Sequence, residues 1–171
     1  MINREHYISK IRPFYESDLI KVITGIRRCG KSVILSQMAM ELKSQGKEIL
    51  MINFEQLEYS TKITNAESLS EYVESKIPEG KKLYVFLDEV QIIDGWNFAC
   101  RSLRLKNTSI FIAGSNSKLL AKEFTKELSG RYVSFCIRPF VYKEILEYAK
   151  ELHKDYSITN YLVFGGFPKV I

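Results

Sequence analysis

Residues 25–32 constrain the possible folds of this chain more than any other segment. They read GIRRCGKS and match the pattern G-x-x-x-x-G-K-[ST], in which two glycines bound a loop that ends in a lysine and a hydroxyl residue. An apolar burst at residues 19–24 precedes the loop, and a stretch with helical apolar spacing follows it. This order of strand, loop and helix predicts a phosphate-binding loop, and an ordinary glycine-bounded loop is the alternative. The apolar face of the helix is formed by Ile34, Leu35, Met38 and Leu42.

The loop residues suit a phosphate group for separate physical reasons. Gly25 and Gly30 allow the backbone to turn its N–H groups inward and to approach an anion closely. The helix that begins near Lys31 directs unpaired N–H groups and the positive end of its dipole at the same point. We expect Lys31 to reach the β- and γ-phosphates and the Ser32 hydroxyl to ligate Mg²⁺. The predicted nucleotide-binding residues of the loop are Gly25, Ile26, Arg27, Arg28, Cys29, Gly30, Lys31, Ser32 and Val33.

Apolar bursts alternate with helical stretches along most of the chain, which predicts an α/β fold. The five strand candidates are residues 19–24, 48–53, 83–87, 109–113 and 132–137. Because near-continuous apolar strands separated by helices form parallel sheets covered on both faces, we expect a three-layer domain with a five-stranded parallel sheet. Residues 1–138 are predicted as this core, and 139–171 as a short helical segment that starts a truncated lid or second domain. Thr64 and Glu67 are expected to form a capping box after the second strand.

Two carboxylates follow the third predicted strand. Residues 83–89 read LYVFLDE, so that Asp88 and Glu89 come directly after an apolar run. Ligands of open α/β sheets lie beyond the carboxyl ends of the strands, which places Asp88 near the glycine loop. We expect Asp88 to hold Mg²⁺, mostly through water, and Glu89 to polarise a water molecule for attack on the γ-phosphate. An exposed acid pair that opens a loop is the alternative for both residues.

Polar residues after the fourth strand and an arginine before the fifth are further candidates. Ser115 and Asn116 can touch the γ-phosphate or the attacking water, and we prefer Asn116 because its amide both donates and accepts. A turn or a helix cap is the alternative for these two residues.

Arg131 lies at a corner from which its guanidinium can reach phosphate in a neighbouring subunit, and a structural salt bridge is its alternative. For Arg27 and Arg28, phosphate, a neighbouring carboxylate and solvent all stay open.

Composition and charge exclude several classes of protein. The chain of 171 residues is 46% hydrophobic and 26% charged, which is ordinary globular usage rather than that of a disordered or collagen-like chain. Twenty-five Lys and Arg against 20 Asp and Glu give a net charge of +5, which permits a nucleic-acid partner without requiring one. No apolar run approaches the roughly 20 residues of a membrane-spanning helix, so no membrane association is expected. Cys29, Cys100 and Cys136 are interpreted as reduced thiols of a cytoplasmic protein, with Cys100 and Cys136 as small core residues.

Five segments within residues 4–168 carry specific combinations of residues, namely TGIRRCGKS, FLDEVQ with Trp96 after it, IAGSNSKLL, LSGRY and YLVFGGFP. Together they resemble a group of bacterial and archaeal AAA+-type ATPases, whose members often carry a second C-terminal domain. The resemblance implies a P-loop core of the ASCE type with strand order 5-1-4-3-2. It also implies roles: Lys31 and Ser32 in Walker A, Asp88 and Glu89 in Walker B, Ser115 and Asn116 as first sensor, and Arg131 as arginine finger. No arginine follows Arg138, so the second-sensor arginine typical of AAA+ lids is missing and slow turnover is expected.

These features predict Mg²⁺-dependent ATP binding and hydrolysis that drives a conformational change. Adenine rather than guanine follows from the resemblance alone. A nucleotide-binding switch with negligible turnover and an ATP-driven module that acts on nucleic acid are the alternatives. A small-molecule kinase is disfavoured by the pair of Asp88 and Glu89. The expected partners are ATP, ADP and further copies of the chain, with Arg131 acting in trans.

Overall fold

The five predicted strands form one parallel sheet in the computed structural model, which describes residues 2–114 and 128–167. The strands are β1 (Ile20–Thr24), β2 (Glu48–Asn53), β3 (Leu83–Asp88), β4 (Thr108–Ala113) and β5 (Tyr132–Cys136). Their order across the sheet is β2-β3-β4-β1-β5, and each neighbouring pair is parallel. The predicted α/β fold is therefore confirmed, as is the strand order 5-1-4-3-2 when it is counted from the other edge.

The sheet is covered on both faces because the side chains of its central strands alternate between two apolar clusters. Val85 and Leu87 of β3 lie in one cluster, whereas Tyr84 and Phe86 lie in the other. Phe86 stacks on Phe111 of β4 with ring centroids 4.4 Å apart. Every residue of β3 and β4 is buried, which explains the near-continuous apolar sequence of these strands.

Helices connect the strands and form the outer layers. The described α-helices are α1 (Glu5–Ile11), α2 (Lys31–Ser44), α3 (Leu57–Ser60), α4 (Ala66–Glu74), α5 (Trp96–Leu103), α6 (Tyr142–Glu151) and α7 (Ile158–Phe164). Short 3-10 turns lie at Arg12–Phe14 and Val90–Ile92. The predicted apolar face of α2 is buried, as the spacing of its residues requires. None of the helices in residues 2–114 and 128–167 is long and apolar enough to cross a membrane.

The start of α4 differs from its prediction. Asn65, not Thr64, is the N-terminal cap, and its Oδ1 accepts a hydrogen bond from the Ser68 N–H at 2.9 Å. In return the Ser68 hydroxyl oxygen accepts the Asn65 N–H at 3.2 Å. The capping box of Thr64 and Glu67 was therefore wrong by one residue, because Asn caps a helix as well as Thr does and a serine oxygen takes the part expected of Glu67.

Two of the three cysteines lie in the core. Cys29 and Cys100 are buried and Cys136 is exposed, and all three thiols are free. The expectation that Cys136 is a small core residue was wrong. β5 is an edge strand whose side chains are only half-buried or exposed, so a short apolar run there does not imply burial.

The helical segment after β5 packs on the N-terminal residues. A third apolar cluster contains no strand residue and consists of Ile2, Phe140, Ile145, Ala149 and Tyr156. The Phe140 N–H donates to the Gly166 carbonyl oxygen at 2.7 Å, which links the two ends of the helical segment. On the other side, the Gln37 side chain of α2 donates to the Ile2 carbonyl oxygen at 2.6 Å. The N-terminal residues thus lie between α2 and the helical segment.

Candidate functional site

The predicted phosphate-binding loop joins β1 to α2. Gly25 has a φ of 145°, and a Cβ atom placed there would lie 2.3 Å from the Ile137 carbonyl oxygen and 2.8 Å from Cys29 Sγ. Gly30 has a φ of 98° and is the N-terminal cap residue of α2. Gly30 is therefore needed for its conformation, and Gly25 for both conformation and space. The loop lies at the N-terminus of a 14-residue helix, whose first N–H groups have no partner within the helix.

Lys31 lies over the loop that precedes it. Its side chain is buried, and its Nζ donates hydrogen bonds to the carbonyl oxygens of Gly25 at 3.1 Å and Ile26 at 2.9 Å. An ammonium group has three N–H donors, so this arrangement leaves a third donor for an anion. Positive charge at a helix N-terminus makes the loop attractive to phosphate.

The other loop residues differ in what their side chains can contribute. Ile26, Arg27 and Arg28 are exposed, Cys29 is buried and Val33 is half-buried. Neither arginine forms an ion pair or side-chain hydrogen bond with any residue that the structure describes. Of the three alternatives for these arginines, the neighbouring carboxylate is thus not found among the described residues. The Cys29 N–H donates to the Ile26 carbonyl oxygen at 3.4 Å, so the apolar side chains of Ile26 and Cys29 offer an anion no donor of their own.

Asp88 ends β3 and lies beside the first turn of α2. It is 2% exposed, lies near the Ser32 side chain, and has an Oδ1 atom without a hydrogen-bond partner among the described residues. Burial raises the pKa of Asp88, whereas its interaction with the Ser32 hydroxyl lowers it. A buried carboxylate oxygen without a partner is costly unless a donor or a cation satisfies it. Because Mg²⁺ prefers carboxylate and hydroxyl oxygens, the two side chains fit the predicted metal ion.

Glu89 has a backbone conformation that non-glycine residues rarely adopt. Its φ of 55° and ψ of 39° lie in the left-handed region. Such conformations cost about 1–3 kcal/mol and cluster at functional sites. The carboxylate accepts a hydrogen bond from the side-chain amide of Gln91, a residue that sequence analysis gave no role. The sharp turn keeps Glu89 half-buried directly beside Asp88.

Ser115 and Asn116 lie outside the described residues, but the strand that leads to them is described. β4 lies between β1 and β3, and Ala113 pairs with Ile23 on one side and with Asp88 on the other. The chain therefore leaves the sheet between the glycine loop and Asp88. The roles of Ser115 and Asn116 stay predictions.

Arg131 lies at the opposite end of the sheet from the glycine loop. It precedes β5, and its carbonyl oxygen accepts a hydrogen bond from the Ile20 N–H at 3.0 Å, where β1 begins. The five residues of β1 separate it from the loop by about 17 Å. Its exposed side chain lines a cavity of about 530 Å³ together with Arg101. Within one chain, the fold therefore does not bring Arg131 together with Lys31 and Asp88.

A family model described as "AAA domain" matches residues 17–146, a stretch that includes the loop, both acidic residues and Arg131. The chain belongs to the AAA domain family. Two longer proteins, both named as uncharacterized, are similar to this AAA domain. One from Haemophilus influenzae is 40% identical over 181 residues, covering 100% of the chain and 45% of the relative. One from Methanocaldococcus jannaschii is 32% identical over 183 residues, covering 99% of the chain and 39% of the relative. The chain thus spans less than half the length of these relatives.

Solved structures of AAA+ proteins share the fold of this AAA domain. AMPPCP-bound DnaA from Aquifex aeolicus has a TM-score of 0.54 at 15% identity, over 93% of this chain and 56% of DnaA. Aeropyrum pernix ORC1 in complex with DNA has a TM-score of 0.61 at 10% identity, over 88% of this chain and 49% of ORC1. C. elegans PCH-2 has a TM-score of 0.59 at 16% identity, over 94% of this chain and 46% of PCH-2. At these identities the likeness concerns the fold, and it confirms the predicted AAA+-type P-loop architecture.

A cavity of about 420 Å³ opens beside the loop of the AAA domain. Gly30 and Val33 contribute one part of its lining, and Phe140 and Tyr148 of the helical segment contribute another. Such a concave, largely apolar space beside a phosphate-binding loop suits a flat aromatic ring. No local sequence pattern marks this cavity, because its two walls lie more than a hundred residues apart along the chain.

A buried cation beside the loop was also missed. Arg4 is 1% exposed, and its Nη1 donates a hydrogen bond to the Cys29 carbonyl oxygen at 3.0 Å. No periodicity or motif marks a single arginine near the N-terminus. Its burial follows from contacts with distant segments, which a pattern of neighbouring residues does not reveal.

Proposed function

We propose that this AAA domain binds ATP with Mg²⁺ and hydrolyses it, and that hydrolysis drives a conformational change. The observation that supports this most is the buried carboxylate oxygen of Asp88 beside Ser32, at the end of a strand close to the glycine loop, which has no hydrogen-bond partner within residues 2–114 and 128–167. When bound there, Mg²⁺ would neutralise charge on the β- and γ-phosphate oxygens. Ser32 and Asp88 are the side chains that would hold it.

The loop supplies the phosphate-binding groups. Lys31 donates two hydrogen bonds to loop carbonyl oxygens, which leaves a third donor that could bind a phosphate oxygen. The first N–H groups of α2, which have no partner within the helix, would add further donors to the phosphate. The cavity lined by Val33, Phe140 and Tyr148, beside the loop, is our candidate for the space that the nucleotide base occupies. Its aromatic lining is suited to stacking against a purine ring.

Glu89 is our candidate for the residue that orients the attacking water. A carboxylate there can accept a proton from water while Mg²⁺ and Lys31 hold the phosphates. Its left-handed backbone conformation places it directly after the metal-binding residue, on the turn that leaves β3. We propose Asn116, which follows the neighbouring strand, as a second contact for the γ-phosphate or the water.

Calorimetric titration with ATP and MgCl₂ tests the proposal. Wild-type protein is expected to bind, and Lys31→Ala is expected to show no detectable heat of binding, while its circular dichroism spectrum is unchanged. Lys43→Ala is the matched control, because Lys43 lies on the same helix with an exposed side chain. Unchanged affinity in Lys31→Ala would show that the loop does not bind nucleotide.

The contact between Glu89 and Gln91 favours a second candidate, a nucleotide-binding switch with negligible turnover. The Glu89 carboxylate accepts a hydrogen bond from the Gln91 side chain, so one of its oxygens is occupied and is less able to orient a water molecule. Single-turnover hydrolysis distinguishes the two functions, since a switch holds ATP without converting it. If Gln91 restrains Glu89, Gln91→Ala should raise the rate of the single turnover.

Fewer observations support the third candidate function, action on nucleic acid. The net charge of +5 permits it, and the structure that resembles this chain with a TM-score of 0.61 is ORC1 in complex with DNA. Turnover measured with and without double-stranded DNA at two salt concentrations is the relevant assay. Stimulation that falls steeply with salt would indicate contacts with phosphates.

A further inference from the structure

Arg4 is a charged residue with almost no exposure that lines the cavity beside the loop. Its Nη1 donates to the Cys29 carbonyl oxygen at 3.0 Å, and its Nη2 donates to the Arg138 carbonyl oxygen at 2.9 Å. Its Nε and Nη2 donate to the two carboxylate oxygens of Glu144 at 2.9 and 3.2 Å. The guanidinium also lies 4.6 Å from the centroid of the Tyr7 ring. A buried arginine needs partners of this kind because an unpaired buried charge is strongly destabilising.

The partners of Arg4 belong to separate parts of the fold. Cys29 belongs to the phosphate-binding loop, Arg138 follows β5, and Glu144 lies in the first turn of α6. A Cβ atom on Gly30 would lie 3.6 Å from Arg4 Nη1, so the guanidinium is packed directly behind the loop. One side chain therefore connects the loop to the helical segment.

Glu144 contributes to this connection from the other side. It is 8% exposed, and its Oε2 also accepts a hydrogen bond from the Val141 N–H at 2.8 Å. That bond holds the start of α6, since the first N–H groups of a helix lack partners within it. The His6 Nδ1 atom lies 3.8 Å from Glu144 Oε1 on the same side. The carboxylate thus links the start of α6 to Arg4.

The attachment of α6 to the core depends on these few contacts. The apolar cluster of the helical segment includes Ile2 but no residue of the sheet. The cavity beside the loop is lined from both sides, by Gly30 and Val33 and by Phe140 and Tyr148. A molecule bound across the loop and this cavity would therefore touch both the core and the helical segment.

From this geometry we propose that Arg4 is a positioning residue that couples nucleotide binding at the loop to the docking of α6 through Glu144. The inference rests on the proposed function, since it concerns ATP bound at the loop. Coupling of two equilibria is reciprocal, so docking of α6 that strengthens ATP binding implies that ATP strengthens the docking of α6 by the same factor. Couplings of this kind typically amount to roughly 5- to 150-fold.

Hydrogen exchange of wild-type protein is the first experiment, and it needs no substituted variant. Backbone amides of residues 142–151 are followed with MgCl₂ alone and with MgCl₂ plus a non-hydrolysable ATP analogue, after calorimetry has shown whether the analogue binds. We expect exchange in α6 to slow at least 5-fold when the analogue is bound. Binding without any change in α6 overturns the coupling and leaves the proposed function intact, whereas absence of binding overturns both.

Glu144→Gln then separates coupling from a purely structural role. It removes the charge that Arg4 pairs with but keeps an oxygen that can accept the Val141 N–H. We expect its affinity for the analogue to fall about 5- to 20-fold and the ligand-induced slowing of exchange in α6 to shrink by the same factor. Glu147→Gln removes the same charge from an exposed position of the same helix and should behave as wild type.

Arg4→Lys provides the complementary variant. Lysine keeps the positive charge but lacks the planar fork that contacts Cys29, Arg138 and Glu144 together. It is expected to show the same loss of affinity and of ligand-induced slowing as Glu144→Gln, and combining the two substitutions should add little. If both variants melt at lower temperature but retain the full affinity and the full change in exchange, the contacts are structural and the proposal is wrong. Failure of either variant to fold leaves the wild-type exchange experiment decisive.

Discussion

The Ser32 side chain lies beside the buried carboxyl group of Asp88, so that the first turn of α2 and the end of β3 meet at one point. Burial raises the pKa of Asp88 even though its interaction with the Ser32 hydroxyl opposes the rise. A carboxylate with a raised pKa makes the folded state less stable at neutral pH than an uncharged group would. If the pair binds a cation as we propose, this loss of stability is the cost of keeping an ionised carboxylate at the site.

Asp88→Asn is expected to raise the free energy of unfolding at pH 7 by roughly 0.5–2 kcal/mol while it weakens binding of ATP with Mg²⁺. Because the folded protein binds the Asp88 proton more tightly than the unfolded chain does, the gain should shrink as the pH falls toward about 4. Urea denaturation at several pH values and calorimetry measure the two effects. The control variant Asp94→Asn, at an exposed aspartate, should change neither the stability nor the affinity for ATP. If Asp88→Asn is destabilised and binds ATP with normal affinity, Asp88 is not the metal-binding residue.

Gly25→Ala should destabilise the protein by roughly 2–4 kcal/mol, because its Cβ would lie 2.3 Å from the Ile137 carbonyl oxygen in a backbone that disfavours side chains. The matched control is Gly80→Ala. Gly80 has a φ of 70° with nothing within 4 Å of the added atom, so only the conformational cost of about 1 kcal/mol applies. Thermal and urea denaturation measure the loss of stability in Gly25→Ala and in Gly80→Ala. Equal losses in the two variants would mean that the loop backbone moves away from Ile137.

Glu89→Gln should bind ATP with nearly wild-type affinity and hydrolyse it roughly 10²–10⁴-fold more slowly, the usual range for loss of a general base. The amide keeps the size and hydrogen bonding of the side chain but cannot take a proton from water. Phosphate release under saturating ATP and MgCl₂ measures turnover. Glu79→Gln, which changes an exposed glutamate before β3, is the control. Unchanged turnover in Glu89→Gln would assign the base to another residue.

Arg131 is expected to complete the site of a neighbouring subunit, because in its own chain it lies about 17 Å from the loop, at the other end of β1. Arg131→Ala should lower turnover by roughly 10³-fold or more, as loss of an arginine finger does. A mixture of Arg131→Ala and Glu89→Gln should regain activity that neither protein has alone at the same total concentration. An inactive mixture, with wild-type turnover independent of concentration, would restrict Arg131 to a structural role.

Lys21 should make stability depend on pH. It is fully buried, its Nζ donates to the Ser109 hydroxyl at 2.7 Å, and burial lowers its pKa to about 7. Above that pH the unfolded chain binds a proton that the folded protein does not, so stability rises with pH by up to ~1.4 kcal/mol per unit until the unfolded lysine titrates near pH 10.4.

Lys21→Met isolates this effect. The stability of the variant relative to wild type should be highest below pH 7 and fall steadily between pH 7 and 10, as measured by urea denaturation. The Ser109 hydroxyl keeps its bond to the Tyr15 carbonyl oxygen at 2.6 Å, whereas the Ser17 carbonyl oxygen loses the hydrogen bond that Lys21 Nζ donates at 3.0 Å. That loss adds a destabilisation that does not vary with pH. Lys10→Met, at an exposed lysine, should give a difference that does not vary with pH. A constant difference for Lys21→Met would mean that Lys21 stays charged in the folded protein.

The sequence by itself determined the elements whose signals are local. The alternation of apolar strands and helices predicted the parallel sheet, and the pattern around Gly25 and Lys31 predicted the loop between β1 and α2. An apolar run that ends in Asp88 was enough to place that residue near the loop, because parallel strands end at a common edge. The apolar residues of a strand recur every two residues and those of a helix about every four residues. Such patterns lie within short stretches of sequence, so they are visible without knowledge of the tertiary structure.

Tertiary structure decided the features that depend on distant contacts. Asn65 rather than Thr64 caps α4, and Cys136 is exposed, because edge position and exact helix start depend on neighbours that the local pattern does not contain. Arg4 is buried only because Glu144, 140 residues away, supplies the charge that compensates it. The distance of Arg131 from its own loop likewise follows from the length of β1 between them. Local periodicity records which face of an element is apolar, whereas the pairing of buried charges is set only when the chain has packed.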